Sequence, residues 1–217
     1  MAEECRYPRR VWDPVLRALH WWMVVTVLTQ FALGSVILAE DALGLSESGE
    51  EDLLVIHASV GYAFGAGLFA RILWALLAPG SGSWRDILPV TAAQWRTLRA
   101  TARHYLSGFR GEDPFYRAHN PLAGLAYAAF LVIAAMQVIT GATMFTAGGD
   151  VGEAWEEVHE VGFWLIVAFV VIHLIMVGIH EVRERHGLVS AMINGRKLFS
   201  AEELERHPEA QREEEIH

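Results

Sequence analysis

The sequence has a single cysteine, Cys5, and it lies outside every apolar run. A disulfide within one chain is thereby excluded, and so are iron–sulfur or zinc sites built on several thiolates. Neither a nucleophile motif nor a dinucleotide-binding motif is present, and the apolar runs leave no room for a soluble catalytic domain. The chain is therefore not expected to be a complete enzyme by itself. Basic residues are missing from two stretches, AEDALGLSESGEED (39–52) and TAGGDVGEAWEEV (146–158). The apolar runs also lack Asp and Glu at mid-depth, and no internal repeat is visible.

What the sequence has is apolar length. Of its 217 residues 53% are hydrophobic, more than in an average soluble domain. A membrane span needs about 20 mostly apolar residues, and four windows qualify, at 15–39, 53–78, 121–146 and 158–180. The first is too long for a secretory leader and has no small-residue cleavage site at the right distance, so it reads as an uncleaved span.

The formal net charge of −9 hides a sharp partition. All 17 Lys and Arg lie before residue 18, at Arg71, in the loop 79–118 or after His180. Loops rich in Lys and Arg stay on the cytoplasmic side. Both termini and the long loop are expected there, the two acidic loops outside, and four crossings satisfy that parity. The expected fold is an all-α integral membrane protein, a four-helix bundle over residues 1–199, followed by a charged tail at 200–217 without fixed structure. Its expected location is the inner (cytoplasmic) membrane of a bacterium, with lipid as its surroundings and no nucleic-acid partner.

Within the long loop, TAAQWRTLRATARHYLSG (91–108) puts Trp95, Leu98, Ala102 and Tyr105 on one side of a helix and Arg96, Arg99 and Arg103 beside them. That is the pattern of a helix lying in the membrane interface, about 91–107, and it reads as a positive-inside anchor before a specific partner site. The triplet HNP (119–121) opens the third span, because proline suits a first helical turn. A short amphipathic stretch is expected around 188–199.

The ten histidines sort by position. His104, His119, His186, His207 and His217 fall in cytoplasmic or boundary segments and read as ordinary surface residues. His20, His57, His159, His173 and His180 lie in or at the spans, where an ionisable side chain is costly and usually faces the bundle interior with a partner. His57 closely follows the acidic run EED and His159 follows WEEV, so both sit near the outer face. His173 is 14 residues beyond His159, which is ~21 Å of helix and nearly four whole turns. It therefore shares the face of His159 but lies toward the cytoplasm, as does His20. Two stacked pairs result, His57 with His159 and His20 with His173. His180, seven residues past His173 on nearly the same face, is a rival partner for His20 that depth alone does not remove.

Zinc wants three or four convergent ligands. Copper transport favours clustered Met and Cys, whereas the six Met are scattered. A proton relay recruits buried carboxylates, and these are lacking. Two imidazoles facing each other across a gap suit the axial positions of haem iron. In GYAFGAG (61–67), Gly61, Gly65 and Gly67 clear one helix face, either for close helix packing or for a flat, bulky ligand. Arg17 and Arg71 reach the cytoplasmic half, where they either pair with haem propionates or snorkel to the interface.

The segments RALHWWM (17–23), VIHASVGY (55–62), AHNPLAGLAYAAF (118–130) and SAMINGRK (190–197), with the His159–His173 interval, resemble the prokaryotic cytochrome b561 superfamily. The loop 79–118 is most similar to that of the b-type cytochrome subunit of membrane-bound nickel–iron hydrogenases. The resemblance implies two haems b held by His20, His57, His159 and His173, with the third span giving no ligand and His173, not His180, opposite His20. It also implies electron exchange with quinone near the cytoplasmic haem, though no quinone motif is readable. The expected function is transmembrane electron transfer from a periplasmic redox partner, such as the iron–sulfur small subunit of a hydrogenase, to membrane quinone. The alternatives are a stand-alone quinone oxidoreductase, monomeric or homodimeric, and the cytochrome subunit of another dehydrogenase. A non-redox metal or proton transporter, or a plain anchor, is the distant alternative.

Overall fold

The computed structural model describes residues 5–110, 114–147 and 149–211. His217 and the rest of the closing EEEIH lie outside the described residues. Four helices are long and apolar enough to cross a membrane: α1 (Pro14–Ile37), α3 (Glu47–Leu77), α6 (Pro121–Ala147) and α7 (Gly149–Glu184). They overlap the expected windows, and α7 extends beyond its apolar run at both ends. Asp13 caps α1, its Oδ1 accepting from the Leu16 amide at 2.7 Å, and Asn120 does the same for Leu122 at 2.9 Å just before Pro121; both satisfy amides that a helix start leaves unpaired. Helix α3 begins six residues before its apolar window, because Glu47 and Glu50 in the first turn suit the positive end of the helix. Between α1 and α3 lies one turn of helix, α2 (Glu40–Leu43), ended by Gly44 in the left-handed region.

The chain divides into two compact units. The first comprises residues 1–17, 73–129 and 173–217. Here β1 (Arg6–Arg10) pairs antiparallel with β2 (Arg196–Ser200), with Tyr7 opposite Phe199. Val11, Trp12, Leu16, Ala191, Phe199 and Leu204 form its buried cluster. The long loop folds here as α4 (Trp84–Ile87) and α5 (Ala92–Leu106). Thr91 and Gln94 close a capping box at the start of α5, each side chain satisfying the other's backbone amide. The helix expected at 91–107 is thus present, but Leu98, Thr101 and His104 are its buried side chains while Trp95 is exposed. Its buried stripe rests on protein.

Two expectations for the C-terminal region are corrected. The stretch 188–199 is not one amphipathic segment: α8 (Leu188–Asn194) stops at Gly195, whose φ of 83° makes the turn into β2, and glycine reaches that conformation without steric cost. Residues 201–211 are not structureless either. They form α9 (Ala201–Arg206) and α10 (Pro208–Gln211), with a Ser200–Glu203 capping box and Leu204 in the core cluster.

The second unit comprises residues 18–72 and 130–172, segments of the four long helices. Trp22 Nε1 on α1 donates to the Ala63 carbonyl on α3 at 2.9 Å. Phe31 of α1 meets Phe163 of α7 edge to face, and Phe130 of α6 stacks on Phe169 of α7 at 4.6 Å. Small residues let these helices approach. A side chain added at Gly67 overlaps the Trp22 indole, and one at Gly162 overlaps the Gln137 amide.

Candidate functional site

In the second unit α3 and α7 bring His57 and His159 together, with ring centroids 6.2 Å apart and planes at 74°. Room for the rings comes from glycine: a Cβ at Gly141 meets His159 Cε1 at 3.0 Å, and one at Gly34 lies 3.9 Å from His57 Cε1. The Thr140 hydroxyl on α6 donates to the Met136 carbonyl at 2.9 Å and stands 2.8 Å from His159 Nδ1. When its proton goes to that carbonyl, the oxygen accepts from Nδ1–H. In that arrangement His159 carries its proton on Nδ1, and Nε2 keeps a lone pair for a ligand, as in most metal-bound histidines. His57 Nδ1 is buried without a hydrogen-bond partner.

These residues fit a haem iron. Metal–nitrogen bonds of about 2 Å on each side, plus about 1 Å from each nitrogen to its ring centre, place two imidazoles sharing one metal ion ~6 Å apart, and the observed separation has that size. An orphaned nitrogen at apolar depth is costly unless something engages the ring.

The remaining expected residues fall as follows. His20 on α1 is half-buried and meets Trp21 edge to face at 5.4 Å, and His173 is exposed on α7. Arg71 is 2% exposed, so its guanidinium is held inside protein and does not snorkel. Arg17 donates to the Ile193 carbonyl at the end of α8 and lies against Gly195. Gly61 and Gly65 receive neighbouring side chains, since an added Cβ meets Gln30 Nε2 at 3.1 Å and Val138 Cγ1 at 3.0 Å. At these two glycines α3 lies close to α1 and α6. Gly34 and Gly141 are the glycines beside the imidazoles, and no spacing rule singled them out.

His180 has both ring nitrogens engaged, Nε2 with the Tyr105 hydroxyl at 2.7 Å and Nδ1 with Glu184. It offers no lone pair to a metal without losing one of these bonds. Four of the histidines taken as ordinary surface residues are otherwise placed. His186 is buried between Glu184 and Glu203, at 3.1 and 2.9 Å. His104 is buried, His119 bonds Asp86, and His207 stacks on Phe115 with centroids 3.8 Å apart. The readable signal was the i,i+4 spacing of His180 and Glu184 on one helix face.

Electrostatics in this first unit follow burial and pairing. Burial opposes a charge on His186, but its hydrogen bonds to Glu184 and Glu203 win and raise its pKa. Burial alone raises Glu203; bonds from His186 and Ser200 overcome it and hold the carboxyl at about 2. Lys197 is fully buried, which pushes its ammonium down to about 8 despite nearby carboxylates. Its Nζ donates to the Arg117 carbonyl at 3.1 Å.

The family model for prokaryotic cytochrome b561 matches residues 11–195. A protein of Cupriavidus necator named "Probable Ni/Fe-hydrogenase B-type cytochrome subunit" is 26% identical over 87% of this chain and 86% of its own length. One of the same name from Azotobacter chroococcum is 27% identical over 87% and 88%. The "Probable Ni/Fe-hydrogenase 1 B-type cytochrome subunit" of Escherichia coli K12 is 26% identical over 85% and 88%.

Proposed function

The chain belongs to the prokaryotic cytochrome b561 family, and from that premise we propose that it is the b-type cytochrome subunit of a nickel–iron hydrogenase, moving electrons from a periplasmic iron–sulfur partner to membrane quinone. The observation that carries this reading is the His57–His159 pair, 6.2 Å between centroids, with the Thr140 hydroxyl 2.8 Å from His159 Nδ1. His57 and His159 hold one haem b, and His20 and His173 hold the other. Bound there, haem supplies a one-electron iron couple at membrane depth, which side chains do not provide.

The chain's own residues do the rest. Thr140 keeps Nε2 of His159 as the ligating nitrogen. The engagement of His180 with Tyr105 and Glu184 favours His173 as the ligand opposite His20. Arg71 keeps a permanent positive charge inside the protein, which suits a haem propionate. The apolar helices keep water and ions from the pair, and the acidic loops 39–52 and 146–158 face the periplasm, where the partner docks. The names of the relatives in Cupriavidus, Azotobacter and Escherichia support the hydrogenase assignment.

The test is haem b per polypeptide in detergent-purified protein, with reduced-minus-oxidised spectra, followed by co-purification with nickel–iron hydrogenase subunits. Two low-spin haems and a co-purifying iron–sulfur protein are expected. A colourless, well-folded protein overturns the cytochrome reading; a fully loaded protein that reacts with quinone but binds no hydrogenase overturns only the partner.

A further inference from the structure

The cytoplasmic end of α7 carries a continuous line of exchangeable protons. It starts at His180, seven residues beyond His173, which is ~10 Å and nearly two whole turns along one helix face. Asn120 donates to the Tyr105 oxygen, so the Tyr105 O–H is the donor to His180 Nε2. Nδ1 of His180 then donates to Glu184 Oε1, which also accepts from the Tyr116 hydroxyl at 2.8 Å. Beyond the carboxylate, Glu184 Oε2 faces His186 Nδ1, and His186 Nε2 faces Glu203 Oε1. A ring with a carboxylate oxygen at each nitrogen donates from both, so His186 is an imidazolium.

Exposure marks the direction. The side chains of His180, Glu184 and His186 are 12%, 8% and 10% exposed, while that of Glu203 is 30% exposed. The line runs along a cleft of about 410 Å³, whose walls include Arg6, His104, Phe109, Arg183 and Glu202. Lys197 lies behind it, over the Tyr116 and Phe199 rings. Among the described residues no three His, Cys, Asp or Glu side chains converge to hold a metal ion. The groups form a row, and a row suits transfer.

We propose that Glu203, His186, Glu184, His180 and Tyr105 form a proton path from the cytoplasmic water to quinone reduced on that side of the membrane. The path rests on the quinone-reducing function proposed above. Converting one quinone to quinol consumes two electrons and two protons, one proton on each carbonyl oxygen. The electrons are those of the transmembrane transfer; the protons enter singly at Glu203. His186 passes its Nδ1 proton to Glu184; tautomer exchange then moves the remaining ring proton from Nε2 to Nδ1, and the vacated Nε2 takes a proton from Glu203. Once Glu184 is protonated, tautomer exchange moves the His180 proton from Nδ1 to Nε2, so that Glu184 O–H donates to the vacated Nδ1 while Nε2–H donates to the Tyr105 oxygen and turns the Tyr105 O–H outward. When that O–H breaks and the quinone O–H forms, Nε2–H refills Tyr105 and Glu184 O–H refills Nδ1. Glu184 returns to a carboxylate and His180 to its Nδ1–H form.

A structural role for the same bonds is the competitor, because they also tie α7 to α5 and α9. Stopped-flow oxidation of the pre-reduced, membrane-embedded protein separates the two, using a soluble naphthoquinone and, separately, ferricyanide, which takes an electron without a proton. In His186→Gln and in Tyr105→Phe the quinone rate is expected to fall about tenfold or more, in the range of lost general acid–base transfer. The ferricyanide rate stays at the parent value, and added imidazole restores part of the quinone rate in His186→Gln. Parent-like quinone oxidation in both variants overturns the path and leaves the quinone reading intact. Equal slowing with both oxidants assigns the bonds to structure and also overturns it. If quinone does not oxidise the parent protein at all, the quinone reading falls and the path with it.

Discussion

Thr140 Oγ1 lies 2.8 Å from His159 Nδ1, and the hydroxyl belongs to α6, the span from which no ligand was expected. The third span thus acts on the site through another residue. An acceptor on Nδ1–H makes the opposite nitrogen more basic and favours the oxidised metal. Thr140→Val is expected to raise the potential of the haem bound by His159 by tens of mV, the equivalent of about 1 kcal/mol for one hydrogen bond, while Thr140→Ser leaves it unchanged. Potentiometric titration followed at the haem band reads this directly.

His173 and His180 stay distinguishable despite their shared helix face. Both nitrogens of His180 are engaged, so His180→Ala is expected to keep both haems and His173→Ala to lose one. Haem counting by the pyridine haemochrome assay decides it, and the opposite pattern makes His180 the ligand.

Gly141 is the tight point beside His159. Gly141→Ala brings a methyl group to 3.0 Å from Cε1, so the ring has to shift, and a misplaced ligand costs haem affinity. Gly61→Ala meets only the flexible end of Gln30 and is expected to bind haem normally. Haem retention during detergent washes compares the two.

Lys197 makes stability depend on pH above neutrality. Burial holds its folded pKa at about 8 against 10.5 when exposed. Between those values the unfolded chain binds more protons than the folded one, so stability rises with pH across that window. Below it, both states are protonated and the full cost of the buried charge is present. His186 has the opposite sign: its raised pKa contributes stability that is complete below 6.5 and lost as pH climbs through the folded value. Thermal melts of the parent and Lys197→Met at pH 8 and pH 10 isolate the lysine, since only the parent should show the rising limb.

The four spans were legible because hydrocarbon length and charge asymmetry are properties of contiguous residues. The windows 121–146 and Pro121–Ala147 nearly coincide. Where they differ, as in the acidic start of α3, the window measured where lipid suits the chain, and the helix continued wherever its amide ends were satisfied. The His57–His159 pairing was readable for a related reason. One helix turns each residue by a fixed angle, so an interval of 14 fixes a face, and the acidic loops fix a depth. His186 was misread because its two carboxylate neighbours come from different elements, one from α7 and one from α9.

The sequence by itself determined the membrane class, the crossings and which histidines stand at apolar depth, since each follows from local composition and helical period. Only the tertiary structure decided that Thr140 stands beside His159 Nδ1, that Gly61 and Gly65 face Gln30 and Val138, and that residues 6–10 and 196–200 pair into a sheet. Those outcomes depend on side chains brought together from distant parts of the chain, where a hydrogen bond or a methyl-sized gap is set by tenths of an ångström that no local pattern encodes.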